Sequence, residues 1–349
     1  MNGLPASNEV SPSGKGATKH LPWIDACKGC AITCVVVGHL TESPALHDSI
    51  YIWHMPFFFF MSGYTFQPTA DTRRNLLNKS IRFLVPYACF LALLSIPELM
   101  DLWRDGSAQQ YVNFFIARAA GGRLLHSWFV AAWFITCLFV TQQFVNWLVV
   151  TCHWGVVALA MCACLSLAYA NEIFLPRRWL PWNINVCLMA APLFYVGWQY
   201  RRRFDARFES WAVLLAVLCV ALAAQRLIQP FNMKSNDYGT PLLALVAALV
   251  ISVALVAIFR RLPVNGVLIS GLALLGEASL VIMYLHWAVQ DLARRHLGVE
   301  HAWLRVLMAI ATPTLCYLLF RNWGPTRGLL LGAVADLSAL FRRRPVASV

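Results

Sequence analysis

Apolar runs of roughly 20 residues recur along nearly the whole chain, and no other feature constrains its fold as strongly. A helix needs about 20 consecutive apolar residues to cross a hydrocarbon core. Ten such segments lie near 24–42, 48–67, 82–100, 126–149, 153–170, 184–200, 209–227, 241–259, 266–289 and 302–320. Of the 349 residues 59% are hydrophobic and 13% charged, with a mean hydropathy of +0.61; a soluble domain carries about a quarter charged residues. A transmembrane barrel would show alternating segments of about ten residues, and none is present. The predicted fold is all-α: a polytopic transmembrane helical bundle of about ten spans.

The net charge of +12 invites a nucleic-acid reading, but the distribution of the positives explains it better. With the N-terminus inside, the inner loops and tails hold seventeen Lys and Arg and the outer loops ten. This bias predicts an N-in, C-in arrangement, with the lipid bilayer rather than nucleic acid as partner. Residues 1–20, rich in Ser, Gly, Pro and Ala, read as a disordered cytoplasmic tail, without the apolar stretch of a cleavable signal. Residues 326–349 read as a basic cytoplasmic tail ending in Arg342, Arg343 and Arg344. Most of the eleven cysteines lie inside apolar runs, where they act as small hydrophobes. The lone Cys27-Lys-Gly-Cys30 has no second pair, so no metal is expected.

Ionisable groups within spans are costly and face a cavity or a partner, so function is sought among them. The first segment holds Asp25, Lys28 and His39. Eleven residues, about three turns, separate Lys28 from His39, which puts both on one face about 16 Å apart. Asp25 can pair with Lys28 one turn away. Alone, this stripe equally fits a snorkelling lysine and an interfacial histidine. The second segment contains His-Met-Pro-Phe-Phe-Phe-Phe-Met-Ser-Gly-Tyr from His54. A short loop joins the two segments, so His54 is expected at the depth of His39. The four phenylalanines would wall an acyl chain, and Ser62-Gly63 would let backbones approach closely. In the third segment Lys79 and Arg82 share a helix face, as a positive-inside anchor or as a clamp for phosphates. The fourth opens with His126, Trp128 and Trp133, for which an interfacial aromatic belt suffices. The ninth holds Glu277, Ser279, Tyr284 and His286.

Taken together, these motifs resemble the acyltransferase-3 family of integral membrane O-acyltransferases. WIDACKGCAITCVVVGHL is similar to the family's first-helix signature, an Asp-x-x-Arg start with a histidine eleven residues on. HMPFFFFMSGYTF resembles its second-helix element, KSIRFLVPY its basic pair before a proline, HSWFVAAWF its Trp-Phe segment and EASLVIMYLHW its late Tyr-Leu-Leu-His segment. The chain departs from the pattern at Lys28 and Lys79, which stand where the family has arginine; charge is kept and the planar fork is lost. The resemblance covers about residues 21–325.

It implies transfer of an acyl group, most often acetyl, from cytoplasmic acyl-CoA to a hydroxyl of an envelope or exopolysaccharide sugar, free or lipid-linked. The bacterial inner membrane is the implied location. On that reading Lys28, Lys79 and Arg82 hold the CoA phosphates and His39 acts as general base, with His54 beside it. Asp25, Ser62, Trp128, Glu277, Tyr284 and His286 are further site candidates, and Asp25 or Glu277 could orient an imidazole. The rival reading is a transporter or exporter of a small anionic or glycan-related solute, which would also use intramembrane charge.

Overall fold

The computed structural model describes residues 21–341 except 177, 179, 204, 205, 264 and 265, and excepting the side chains of 206–208 and 341. The residues read as an N-terminal tail and Arg342 to Arg344 lie outside the described residues. Most of those described are helical, with no strand among them; one isolated backbone bridge joins Asn232 and Asp237. In chain order the helices are α1 (Pro22–Leu40), α2 (Pro44–Tyr51), α3 (His54–Tyr64), α4 (Thr72–Leu94), α5 (Ile96–Asp105), α6 (Ala108–Ala120), α7 (Trp133–Thr151) and α8 (Trp154–Phe174). There follow α9 (Cys187–Arg202), α10 (Ala206–Ala224), α11 (Leu243–Arg261), α12 (Val267–Glu277), α13 (Ser279–Leu297), α14 (Ala302–Phe320), α15 (Gly324–Leu330) and α16 (Val334–Phe341).

Among the described residues six stretches are long and apolar enough to cross a membrane, and the pair α12–α13, bent by 77°, would make a seventh if taken as one span. Helices α3 and α9 are shorter, with 11 and 16 residues, and in α10 the apolar stretch is Glu209–Ala224. The segment expected as one span at 48–67 is two helices, because Trp53 leaves the helical region (φ −136°, ψ −24°). With 11 residues, α3 is about 16 Å long, roughly half the hydrocarbon thickness. The segment expected at 82–100 starts earlier as a helix. The Asp71 side chain accepts from the backbone N–H of Arg74 at 2.9 Å and caps α4, so Lys79 and Arg82 sit within the helix body. Residues 324–341, most of them in the stretch read as a basic tail, form α15 and α16. Arg327 binds Asp336 through two contacts of 2.9 Å, and the pair packs on α4.

Two helix crossings rest on reciprocal glycines. A Cβ on Gly29 of α1 would stand 1.8 Å from the Leu272 carbonyl oxygen, and one on Gly276 of α12 1.8 Å from that of Asp25. Likewise Gly63 of α3 meets Phe194 and Gly197 of α9 meets Phe60, at 1.8 and 1.9 Å. Contacts this close exclude any side chain and seat α1 and α3 firmly in the bundle. The expected role of Gly63 in close approach is therefore realised.

Candidate active site

A cavity of about 1420 Å³ runs beside α1. Asp25, Lys28, Ile32, Val35 and His39 all line it; their spacing of three and four residues is one helix stripe. The stripe joins two chemically distinct ends.

At the basic end Lys28 of α1, Lys79 and Arg82 of α4 and Arg201 of α9 line the wall. Lys28 donates to Asp25 Oδ1 at 3.1 Å, and Lys79 Nζ lies 5.9 Å from the Phe83 ring centroid. Arg201 donates to the Tyr64 carbonyl at 3.2 Å, which ties it to the end of α3. Glu277, at the bend between α12 and α13, also lines this end and accepts from the Tyr317 hydroxyl at 3.0 Å.

Between the ends the wall is mainly apolar. From α3 it takes Met55, Phe58, Met61 and Ser62. Of the four consecutive phenylalanines only Phe58 lines the cavity. Phe57, Phe59 and Phe60 are fully buried, packed on Trp53, Phe134 and Tyr200 respectively. The expected wall of four rings is thus one ring, because a helix shows a cavity only one of its faces.

At the opposite end α1, α3 and α13 bring three imidazoles together, and α2 adds His47 and Tyr51 to the wall. The His39 ring centroid lies 6.3 Å from that of His54 and 5.5 Å from that of His286, on which it stacks at 17°. Trp287 stands 5.3 Å away. The Tyr51 hydroxyl is 2.7 Å from His39 Nδ1, and the Tyr51 ring packs against His47 and His54 at 3.8 and 4.5 Å. His54 Nδ1 faces the Ile50 carbonyl at 3.1 Å. A carbonyl only accepts, so this nitrogen carries the proton and Nε2 the lone pair. The same holds for His286, whose Nδ1 lies 2.9 Å from the carbonyls of Ile282 and Met283. His39 and His54 line the cavity; His286 is fully buried behind them.

Over this end folds the loop between α10 and α11, whose Gln229, Asn232, Lys234 and Asp237 line the wall. Lys234 donates to the Leu125 carbonyl. Its burial, with Arg123 nearby, holds its pKa down to about 8.

Most residues singled out in the sequence thus meet on one cavity, and some do not. Trp128 donates to Asp291 at 2.8 Å, joining the segment before α7 to α13 outside the cavity wall. Tyr284 is buried against Phe90, ring to ring at 4.5 Å. Neither Asp25 nor Glu277 orients His39: Asp25 is fourteen residues along α1 from it, about 21 Å, and the backbones of Asp25 and Gly276 touch. Tyr51 has that position instead. Tyr51, Arg201, Lys234 and Trp287 were not foreseen as site residues. Arg201 and Lys234 had shown only as loop charges, and nothing local marks Tyr51 or Trp287.

A family model described as an acyltransferase domain matches residues 21–321. No curated protein and no solved structure matches the chain.

Proposed function

The chain belongs to the acyltransferase-3 family, a family of membrane acyltransferases, and from that premise we propose that it moves an acetyl group from acetyl-CoA to a sugar hydroxyl. The acceptor would be an envelope or exopolysaccharide sugar, free or lipid-linked, and the membrane the bacterial inner membrane. One observation carries the reading: a single cavity has four cations at one end and three histidines, His39, His47 and His54, at the other, with Lys28 and His39 about 16 Å apart on one helix. That separation is on the scale of the pantetheine arm joining the CoA phosphates to the thioester.

With the phosphates at Lys28, Lys79, Arg82 and Arg201 and the basic end toward the cytoplasm, the thioester reaches His39. A neutral imidazole nitrogen takes the proton of the acceptor hydroxyl as its oxygen attacks the thioester carbon. The tetrahedral intermediate collapses, the C–S bond breaks, and the departing thiolate takes the proton from the imidazolium. The sugar ester and free CoA leave. His54, with its lone pair on Nε2, is positioned to bind the acceptor hydroxyl or share that proton. The apolar middle of the cavity keeps water from the thioester.

The test is acceptor-dependent release of free thiol from acetyl-CoA by the purified protein in lipid nanodiscs, with mass spectrometry of the sugar. An acetylated sugar appearing in step with CoA is expected. Movement of a solute across a sealed vesicle without CoA release would overturn the reading in favour of transport.

A further inference from the structure

The histidine end of the cavity holds a cation that the transfer chemistry leaves unused. Lys234 is the one Lys or Arg lining that end among the described residues. Among the described residues no carboxylate pairs with it. Its hydrogen-bond partner is the neutral Leu125 carbonyl, which leaves further ammonium donors available. The neighbouring charges are otherwise engaged. Asp48 is bound by Arg226 at 3.1 Å and by His47 at 2.8 Å. Arg123 donates to the Pro176 carbonyl. Asp237, also on the wall, accepts from the Gly239 backbone at 3.1 Å.

The loop carrying Lys234 is held from several sides. Asn232 and Asp237 bridge its base. Asn183 donates to the carbonyl of Lys234 itself at 3.3 Å, and Asn185 donates to Asn236 at 3.3 Å. Glu172 accepts from the Tyr238 backbone at 2.8 Å, and the Tyr238 ring is fully buried. Asn236 takes the left-handed conformation (φ 60°) that the turn needs. A partly buried cation fixed on a cavity wall with no carboxylate in contact with it is costly. A fixed loop that keeps such a residue is built to meet an anion that arrives with the substrate.

Resting on the acyltransferase reading above, we infer that the 229–238 loop recognises the acceptor and that Lys234 selects an acceptor bearing an anionic group, a carboxylate or a phosphate on the sugar. Gln229 and Asn232 supply neutral donors and acceptors for the remaining hydroxyls. The anion at Lys234 fixes the sugar so that one hydroxyl meets His39.

The experiment compares three oligosaccharides of equal length with the full chain in nanodiscs: neutral, uronate-bearing and phosphate-bearing. Binding is read by calorimetry without acetyl-CoA, and transfer as kcat/KM with it. A charge-assisted contact is worth about 1.5–3 kcal/mol, so one anionic acceptor should be preferred over the neutral one by about 10- to 100-fold. The arm that shows the preference names the anion. Lys234→Met should bring the ratio of anionic to neutral acceptor close to one, and Lys234→Arg should keep most of it. Equal use of all three by the wild type overturns the inference and leaves the acyltransferase reading standing. A preference that survives in Lys234→Met overturns the role of Lys234. If no sugar binds or is acetylated, both readings fall together.

Discussion

At the basic end of the cavity four cations reach the wall from three helices, and at the other end imidazoles are fixed by hydrogen bonds and stacking. Lys28, Lys79, Arg82 and Arg201 are long side chains on α1, α4 and α9. On the proposed reading these cations act on a polyanion as a sum of charge. His54 and His286 have their protons placed by helix carbonyls, while His39 is held between Tyr51 and the His286 ring. Holding a phosphate asks for net charge within a few ångströms; moving a proton asks for one nitrogen in one place. Substitutions at the two ends should therefore differ in kind as well as size.

The largest effect is expected at His39. Removing a general base costs about 10²- to 10⁴-fold, so His39→Ala should cut kcat to near background while expression, membrane insertion and acetyl-CoA affinity persist. Wild-type-like acetylation of the sugar by this variant would remove His39 from the mechanism. If the ends differ as described, the basic end answers otherwise. Lys79→Ala with Arg82→Ala removes two charge-assisted contacts of about 1.5–3 kcal/mol each. The apparent KM for acetyl-CoA should rise by about 100-fold or more with kcat little changed, and each single variant should show about the square root of that factor. Steady-state kinetics over acetyl-CoA concentration decides; a change confined to acceptor affinity would break the assignment of this end to CoA.

The contrast also explains which parts of the site could be read from sequence. The stripe from Asp25 to His39 needs only helix geometry, and α1 is indeed one unbroken helix whose Asp25 and His39 both line the cavity. Lys79 and Arg82 were legible for the same reason. What escaped depends on breaks and tertiary contacts. A run of four identical residues carries no periodicity, so only packing against α7 and α9 reveals that Phe58 alone faces the cavity. The turn at Ile52–Trp53, inside an apolar run, swings Tyr51 onto His39, and a hydropathy window passes over it. Lys234 lies more than a hundred residues from its contact with Leu125, and its place on the wall follows from an asparagine network that no local pattern announces. The all-α class and the apolar segments were legible throughout. The division of 48–67 into two helices, and the 77° bend between α12 and α13, were not, because each break lies inside an apolar run.

The smallest expected effect is also the most specific test of how the histidine end works. Tyr51→Phe deletes one oxygen and keeps the ring that packs on His47 and His54, so the pocket's shape should survive. What goes is the contact at 2.7 Å to His39 Nδ1. For His39 Nε2 to act as base, Nδ1 must carry the proton and the tyrosine oxygen must accept it; the hydroxyl then fixes both the tautomer and the tilt of the ring. A hydrogen bond of this kind contributes about 0.5–1.5 kcal/mol, so kcat should fall by about 2- to 10-fold, with the KM for acetyl-CoA unchanged. A purely structural role would also leave KM alone, so a double-mutant cycle separates the two. In the His39→Ala background Tyr51→Phe should cost nothing further, since a positioning residue has nothing left to position. If the two losses multiply instead, Tyr51 acts on the acceptor or on His54 directly, and the order at this end does not pass through His39.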